Sequence, residues 1–339
     1  MKRIGVIGAG SFGVALSLHL NRMGHEVTLW SFAEEEYEWI KKHRNIGSKL
    51  PGIEIPEEIL LTTDIAAASK EQDLILLAVP SVFIRNTAHS LAPFVKEGQI
   101  VATVAKGMEA KTKKRLSEVM EEELPQSSIV CLSGPSHAEE VAVFLPTCLV
   151  AGSKSKAAAE AVQDIFMSET LRVYTSPDLI GMEVGATVKN VIALAAGMSD
   201  GLGFGDNTKA ALITRGIAET MRLGIAMGGQ MKTLCGLTGI GDLVVTCASV
   251  HSRNRRCGML IGQGEDPKKA VEKVGMVVEG VNAAPTVLTL SKQYGVSMPI
   301  TEQVNEVLFE GAEIKETMRR LMGREKRSES EEAQWEETD

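Results

Sequence analysis

The chain has 339 residues, of which 44% are apolar, and a formal net charge of −8. This length suits two domains or one large one and excludes a single small module. Residues 328–339 contain six acids and no base, so we expect a disordered acidic tail behind a nearly neutral body. A neutral body lacks the broad basic surface of nucleic-acid-binding proteins, which excludes a nucleic acid partner.

Neither a membrane span nor a secretion signal is predicted. No run reaches the roughly 18 consecutive apolar residues that a span requires, and residues 1–3 lead directly into a strand-like segment. The five cysteines are odd in number and have no CxxC spacing, which argues against a disulfide framework or a zinc site. We therefore expect a cytoplasmic protein with no metal and no stable membrane insertion.

Strand and helix patterns alternate through the first half of the chain. The strands are predicted at residues 3–8, 26–30, 74–79, 100–104, 129–132, 148–151 and 171–174. Helical periodicity falls between them, at residues 11–23, 82–94, 111–123 and 154–167. This alternation predicts a mainly parallel, doubly wound α/β sheet of the Rossmann type.

After about residue 178 the pattern becomes almost entirely helical. The later helices are predicted at residues 183–198, 208–227, 280–294, 301–309 and 313–322. We therefore predict a dinucleotide-binding Rossmann domain over residues 1–182, an all-helical substrate domain over 183–325 and the acidic tail over 326–339. An apolar helical domain of this kind favours pairing with a second copy, so we expect a homodimer.

Residues 8–13 form a GxGxxG sequence between a predicted strand and a predicted helix. Gly8 would make the tight turn, Gly10 would let a pyrophosphate approach the backbone, and Gly13 would let the helix pack on the strand. A helix that begins near Ser11 presents free amides and a positive dipole end to the pyrophosphate. These features predict a nicotinamide dinucleotide site, although a methyltransferase or a flavin enzyme could have a similar loop.

The residues that follow the second strand distinguish NAD from NADP. Phe32 stands there, and Glu34, Glu35 and Glu36 come directly after it. A missing guanidinium and three carboxylates disfavour a 2′-phosphate, which favours NADH or use of both dinucleotides. The alternative is that the three glutamates only charge the first turn of a surface helix.

Three predicted strands end in polar or glycine-rich sequences, at residues 79–81, 105–107 and 133–138. Ligands of an open α/β sheet bind beyond the carboxyl ends of its strands. The Ser136 hydroxyl and the amides around it could therefore hold a small polar ligand, and Lys106 would add a positive charge.

Lys189 is the only charged residue between positions 184 and 199. Burial in such an apolar helix lowers the pKa of a lysine, which suits Lys189 to protonate a ketone oxygen. The alternative is a lysine that extends to solvent or pairs with a structural carboxylate. Asp242 follows a glycine-containing turn, and residues 252–256 combine guanidinium, amide and hydroxyl groups suited to a phosphate.

Several of these sequences resemble the bacterial NAD(P)-dependent glycerol-3-phosphate dehydrogenases, from about residue 2 to about residue 323. The similar sequences are GAGSFG, AKGME, SGPSHAEE, EVGATVKN, LTGIGDLVVTC, HSRNRR and VVEG. The resemblance implies a Rossmann domain followed by a helical domain, and reduction of dihydroxyacetone phosphate to sn-glycerol 3-phosphate, a phospholipid precursor. Family members commonly have a basic residue at the position of Phe32, so the resemblance does not imply an NADPH preference for this chain.

The resemblance also implies roles for individual residues. The catalytic set would be Lys189 as proton donor and acceptor, Asp242 as its orienting group and Lys106 beside them. The triose phosphate would be held by those three together with Gly134, Ser136, Ser252, Arg253 and Asn254. The dinucleotide would contact the glycine loop, Ser11, Phe12, Phe32, Lys106, Ala138, Arg253, Val277 and Glu279.

Two other interpretations remain open at this point. One is a hydroxy-acid or sugar-acid dehydrogenase with the same two domains and the same lysine chemistry. The other is a non-catalytic NAD-sensing module, which would leave Lys189 without an explanation.

Overall fold

An eight-stranded sheet forms the N-terminal half of the protein, as the alternating pattern predicted. The computed structural model describes residues 1–326, 328 and 329. The strands are β1 (Arg3–Ile7), β2 (Glu26–Trp30), β3 (Leu60–Thr62), β4 (Leu74–Leu77), β5 (Ile100–Thr103), β6 (Ser128–Ser133), β7 (Thr147–Gly152) and β8 (Leu171–Ser176). Their order is β3-β2-β1-β4-β5-β6-β7-β8, and all pairs are parallel except the antiparallel pair β6-β7.

Helices cover both faces of this sheet, and each face has its own cluster of buried apolar side chains beneath the helices. They are α1 (Ser11–Arg22), α2 (Glu34–His43), α3 (Ile84–Leu91), α4 (Leu116–Glu123), α5 (Ala138–Ala142) and α6 (Lys156–Phe166). Short 3-10 turns lie at Gly47–Lys49, Ser81–Phe83 and Ala92–Phe94. Because both faces are covered, strands such as β4 are apolar at every position rather than at alternate ones.

The rest of the chain is helical and packs around one long buried helix. The helices are α7 (Leu179–Gly201), α8 (Asp206–Ala226), α9 (Met231–Leu234), α10 (Asp242–Ala248), α11 (Arg253–Gly262), α12 (Pro267–Val274), α13 (Glu279–Gln293), α14 (Pro299–Asn305) and α15 (Ile314–Met322). Single π turns lie at Leu237–Gly241 and Glu306–Glu310. The long helix α7 is almost entirely buried and forms the core of this half.

Two glycines allow α7 and α11 to touch along their backbones. A Cβ on Gly197 would lie 2.1 Å from the Arg255 carbonyl oxygen, and one on Gly258 would lie 2.1 Å from the Leu194 carbonyl oxygen. No other residue type fits at such distances. The close crossing places the beginning of α11 beside the middle of α7, where Lys189 lies.

Some sequence predictions differ from the structure in detail. The predicted helix over residues 111–123 begins only at Leu116, because Lys113 has a positive φ of 63° and Met108 forms a β-bridge with Arg115. The three-residue strand β3 was missed because it is too short to show a period. The predicted domain boundary at residues 182 and 183 falls inside α7 and stays a prediction. The disorder predicted for the tail concerns residues that lie almost wholly outside the described ones.

Two helical stretches of the described residues have the length and apolar composition of a membrane span. The first, Leu179–Gly201, is α7, and 89% of its most apolar window is buried inside the protein. Its composition is therefore that of a core helix. The second, Met231–Ala248, is interrupted by Gly236, whose backbone is extended, and it contains the buried charge of Asp242.

Candidate active site

The glycine loop after β1 has the shape that a pyrophosphate requires. Gly8 has a φ of 124°, and a Cβ there would lie 2.8 Å from the Ala78 carbonyl oxygen. A Cβ on Gly13 would lie 2.0 Å from the Gly8 carbonyl oxygen, whereas nothing lies within 4 Å of the Cβ position of Gly10. The first amides of α1 have no partner within the helix. The open space at Gly10 beside these amides therefore fits the pyrophosphate of a dinucleotide.

The other residues expected near the dinucleotide differ in their burial and come from both halves of the protein. Phe12 packs against the core of the sheet domain, and Ala138 is the first residue of α5. Phe32 is 85% exposed, with its ring edge-on to Trp30. Val277 lies half-buried in the segment that precedes α13.

Glu279 links the helical half to the sheet. One of its carboxylate oxygens accepts a hydrogen bond of 3.0 Å from the Ser81 amide, and the other accepts one of 2.6 Å from the Ser81 hydroxyl. Ser81 follows β4, so this contact lies at the carboxyl edge of the sheet. Burial raises the pKa of Glu279, and the bonds from Ser81 oppose that effect.

Lys189 is buried and forms an ion pair with Asp242, which also pairs with Lys106. The residue is only 5% exposed, which confirms the burial predicted for it. Its Nζ donates hydrogen bonds of 2.8 Å to Asp242 Oδ1 and to Thr246 Oγ1. The second oxygen of Asp242 accepts a bond of 2.6 Å from Lys106 Nζ. One buried carboxylate thus holds two ammonium groups, one from each half of the protein.

The mutual contacts set the protonation of these groups. Burial lowers the pKa of Lys189 to about 8, against the opposing effect of Asp242 and with a further decrease from Lys106. For Asp242, burial acts to raise the pKa, but the two ammonium groups overcome it and hold the pKa below its usual value. Asp242 is therefore ionised at neutral pH, and Lys189 is a cation that can release its proton near physiological pH.

The loop after β6 meets the same cluster. Lys106 Nζ donates a second hydrogen bond, of 2.9 Å, to the Gly134 carbonyl oxygen, and Ser136 Oγ donates to that same oxygen at 3.0 Å. Gly134 has a φ of 152°, and a Cβ there would lie 2.7 Å from the Cys148 carbonyl oxygen. The structure therefore brings Lys106, Gly134 and Ser136, three of the residues predicted for the site, together with Lys189 and Asp242.

The beginning of α11 presents the remaining predicted residues. Ser252 is buried and caps the helix by accepting a bond from the Arg255 amide. The Nδ2 of Asn254 donates to Asn190 Oδ1 at 2.8 Å, and its Oδ1 accepts from the Gly280 amide at 2.8 Å. Asn254 therefore joins α7, α11 and α13.

Arg253, at the first position of α11, extends its side chain to the surface. Among the ion pairs of the described residues there is none for this guanidinium, so it is available to an anion. Sequence reasoning missed Thr246, although its position four residues after Asp242 on one helix could have indicated it.

A second buried charge pair, not predicted from the sequence, joins α7 to the sheet domain. Glu183, which precedes Lys189 on α7, accepts hydrogen bonds from Arg115 Nη1 at 2.9 Å and from the Ser117 amide at 2.8 Å. Both side chains of the ion pair are about nine-tenths buried. The pair therefore fixes the orientation of α7 relative to the start of α4.

We expect Glu183→Ala to lower the free energy of unfolding by about 3–5 kcal/mol, because it leaves the Arg115 guanidinium buried without its main partner. The measurement is a urea titration followed by circular dichroism. Glu118→Gln is the control, since Glu118 also pairs with Arg115 but is 41% exposed, and glutamine can keep the capping hydrogen bond from the Arg115 amide. A loss of no more than about 1 kcal/mol is expected. Equal small losses for both variants would contradict a structural role for Glu183.

Among the described residues, no group of three or more His, Cys, Asp or Glu side chains could hold a metal ion. The glycine loop, the parallel sheet and the buried lysine in a following helical domain together define a two-domain nicotinamide-dependent dehydrogenase. Residues 3–159 match the model of the NAD-dependent glycerol-3-phosphate dehydrogenase N-terminus, and residues 178–319 match that of the C-terminus. The chain belongs to the NAD-dependent glycerol-3-phosphate dehydrogenase family.

Individual relatives agree with this assignment over the full length. The glycerol-3-phosphate dehydrogenase [NAD(P)+] of Agathobacter rectalis is 56% identical over 336 residues, which cover 99% of this chain and 100% of the relative. That of Fusobacterium nucleatum is 50% identical, covering 97% and 99% of the two chains. The crystal structure of glycerol-3-phosphate dehydrogenase from Coxiella burnetii superposes with a TM-score of 0.92 at 36% identity, covering 95% and 99%.

Proposed function

We propose that this protein interconverts dihydroxyacetone phosphate and sn-glycerol 3-phosphate, with NAD or NADP as the redox partner. The main observation in support is the buried cluster of Lys189, Asp242 and Lys106 at the carboxyl edge of a dinucleotide-binding sheet. The proposal agrees with the activity named for the relatives of this chain.

The cluster suits the proton transfer that accompanies reduction of a ketone. When bound, the dinucleotide supplies the hydride for the carbonyl carbon. Lys189 has three N–H donors, of which two are used by Asp242 and Thr246. Its third N–H is therefore available to the carbonyl oxygen, which takes the proton and becomes the product hydroxyl. Lys189 is left neutral and regains a proton from solvent.

Lys106 would hold the substrate beside this donor. Two of its N–H groups bind Asp242 and the Gly134 carbonyl oxygen, so one donor remains for a substrate oxygen. Ser136 lies next to it on the same loop. In the oxidative direction the neutral form of Lys189 would take the proton from the substrate hydroxyl, as microscopic reversibility requires.

Arg253 is proposed to bind the substrate phosphate, because its exposed guanidinium stands at the positive end of α11. We expect Arg253→Ala to raise the KM for dihydroxyacetone phosphate about tenfold to hundredfold, the size of a lost charge-assisted hydrogen bond pair. Steady-state kinetics with varied substrate measure this change. Arg256→Ala, on the exposed side of the same helix, is the control. An equal rise of KM in both variants would mean that Arg253 contributes only to the overall positive charge of this surface and does not bind the phosphate.

The experiment that tests the proposed function follows oxidation of NADH and NADPH separately, with dihydroxyacetone phosphate as acceptor. Unphosphorylated dihydroxyacetone and a panel of 2-keto acids serve as competing acceptors. We expect turnover only with the phosphorylated ketone. Turnover of a keto acid instead would favour the hydroxy-acid dehydrogenase alternative, and dinucleotide binding without turnover would favour a sensing module.

The cellular setting remains a proposal that follows from this activity. The protein would act in the cytoplasm on a small phosphorylated substrate, and its product would be a precursor for phospholipid synthesis. The predicted homodimer and the predicted absence of a nucleic acid partner also stay predictions.

A further inference from the structure

A chain of polar contacts joins the beginning of α1 to the end of β2. Ser11 Oγ donates a hydrogen bond of 2.7 Å to the carbonyl oxygen of Lys49, in the 3-10 turn Gly47–Lys49. The ammonium group of Lys49 forms an ion pair with one carboxylate oxygen of Glu36. The other oxygen of Glu36 accepts a bond of 2.8 Å from Ser31 Oγ. We call the ion pair in this chain the Glu36–Lys49 pair.

Glu36 differs from the two glutamates that precede it. Glu34 and Glu35 are exposed at the beginning of α2, whereas the Glu36 side chain is 25% exposed and reaches Ser31, directly after β2. The three residues look equivalent in the sequence, but of the three only Glu36 forms a hydrogen bond with the residue that follows β2. Surface charging of a helix therefore explains Glu34 and Glu35 but not Glu36.

The position of the pair is where a dinucleotide fold distinguishes its ligands. Ser31 directly follows β2, and the Gly8 amide donates a bond of 3.0 Å to the Trp30 carbonyl oxygen, so the end of β2 adjoins the glycine loop. In Rossmann folds the ribose 2′ group of the adenosine lies at this point, next to an acid for NAD or a cation for NADP. Phe32 supplies neither, but the Glu36–Lys49 pair supplies both.

We propose that the Glu36–Lys49 pair determines how this protein discriminates between NADH and NADPH, and that it permits both. With NADH, Glu36 accepts a hydrogen bond from the ribose 2′-hydroxyl and stays paired with Lys49. With NADPH, the 2′-phosphate replaces Glu36 as the partner of Lys49, and the carboxylate turns away to solvent. The side chain of Lys49 is 47% exposed, so it can follow the phosphate without leaving a buried site.

The test uses the adenosine half of the ligand, which avoids any dependence on turnover. Isothermal titration calorimetry compares 5′-AMP with adenosine 2′,5′-bisphosphate, which differ only in the 2′-phosphate. We expect Lys49→Met to weaken binding of the bisphosphate by about tenfold or more and to leave AMP within about twofold. Glu36→Gln should tighten bisphosphate binding about threefold or more, because it removes a competing negative charge.

Two exposed residues of α2 provide matched controls. Lys42→Met and Glu35→Gln make the same chemical changes at exposed positions of the helix that contains Glu36, and we expect the ratio of the two affinities to stay within about twofold of native. Equal weakening of both ligands by Lys49→Met, or no change in either, would overturn the proposal. It rests on the proposed function only in requiring a dinucleotide at the glycine loop. Selective binding without turnover of dihydroxyacetone phosphate would therefore refute that function while supporting this inference.

Discussion

Replacement of Lys189 by alanine is expected to lower turnover of dihydroxyacetone phosphate about 10²- to 10⁴-fold, the usual contribution of a general acid. The reason is that, among the described residues, only Lys189 has an ammonium group that binds both Asp242 and Thr246. The kcat should fall much more than the KM rises, since the proton is transferred only in the transition state. Stopped-flow oxidation of NADH measures the effect at saturating substrate.

Loss of the fold would not explain this result, because Asp242 keeps its second cation, Lys106, when Lys189 is removed. Lys189→Met preserves most of the apolar stem and should show the same kinetic loss with near-native thermal unfolding. Lys232→Ala, at an exposed position on α9, is the control for general charge effects. Near-native turnover of both Lys189 variants would remove this residue from the mechanism.

Asp242→Asn is expected to move the pH profile of the reaction to lower pH. Asp242 raises the pKa of Lys189, whose value of about 8 is the result of burial opposed by that carboxylate. Without the negative charge, the pKa of Lys189 should fall further, by about 1–3 pH units. Reduction needs the protonated lysine, so the reductive rate should decline through about pH 8 in the native enzyme and at a lower pH in the variant.

The oxidative reaction is expected to depend on pH in the opposite sense. Oxidation of sn-glycerol 3-phosphate needs neutral Lys189, so its rate should rise through the same pKa, and this rise should also occur at lower pH in the variant. Rates from pH 5.5 to 9.5 in a mixed buffer measure both limbs, and Asp164→Asn, an exposed change on α6, is the control. An inflection that stays in place in Asp242→Asn would show that Asp242 does not control this proton.

Local patterns in the sequence were enough to predict the type of fold and part of the site. The alternation of strand and helix patterns over residues 3–174 predicted the sheet, since strands that are covered on both faces are apolar throughout and the helices that cover them bury one face. GxGxxG between β1 and α1 indicated the dinucleotide loop, because the positive φ of Gly8 and the packing of Gly13 against the Gly8 carbonyl oxygen are requirements within the loop itself. Lys189 stood out because a charge in an apolar helix requires a partner.

Only the tertiary structure decided which partners these residues have. Asp242 and Thr246 lie more than fifty positions from Lys189 in the chain, and Lys106 comes from the other half of the protein. Glu36 differs from Glu34 and Glu35 because it contacts Ser31 and Lys49, and the sequence does not show these contacts. The physical reason is that periodicity records which face of an element is buried, whereas ionic and hydrogen-bonded partners depend on how distant elements pack against one another.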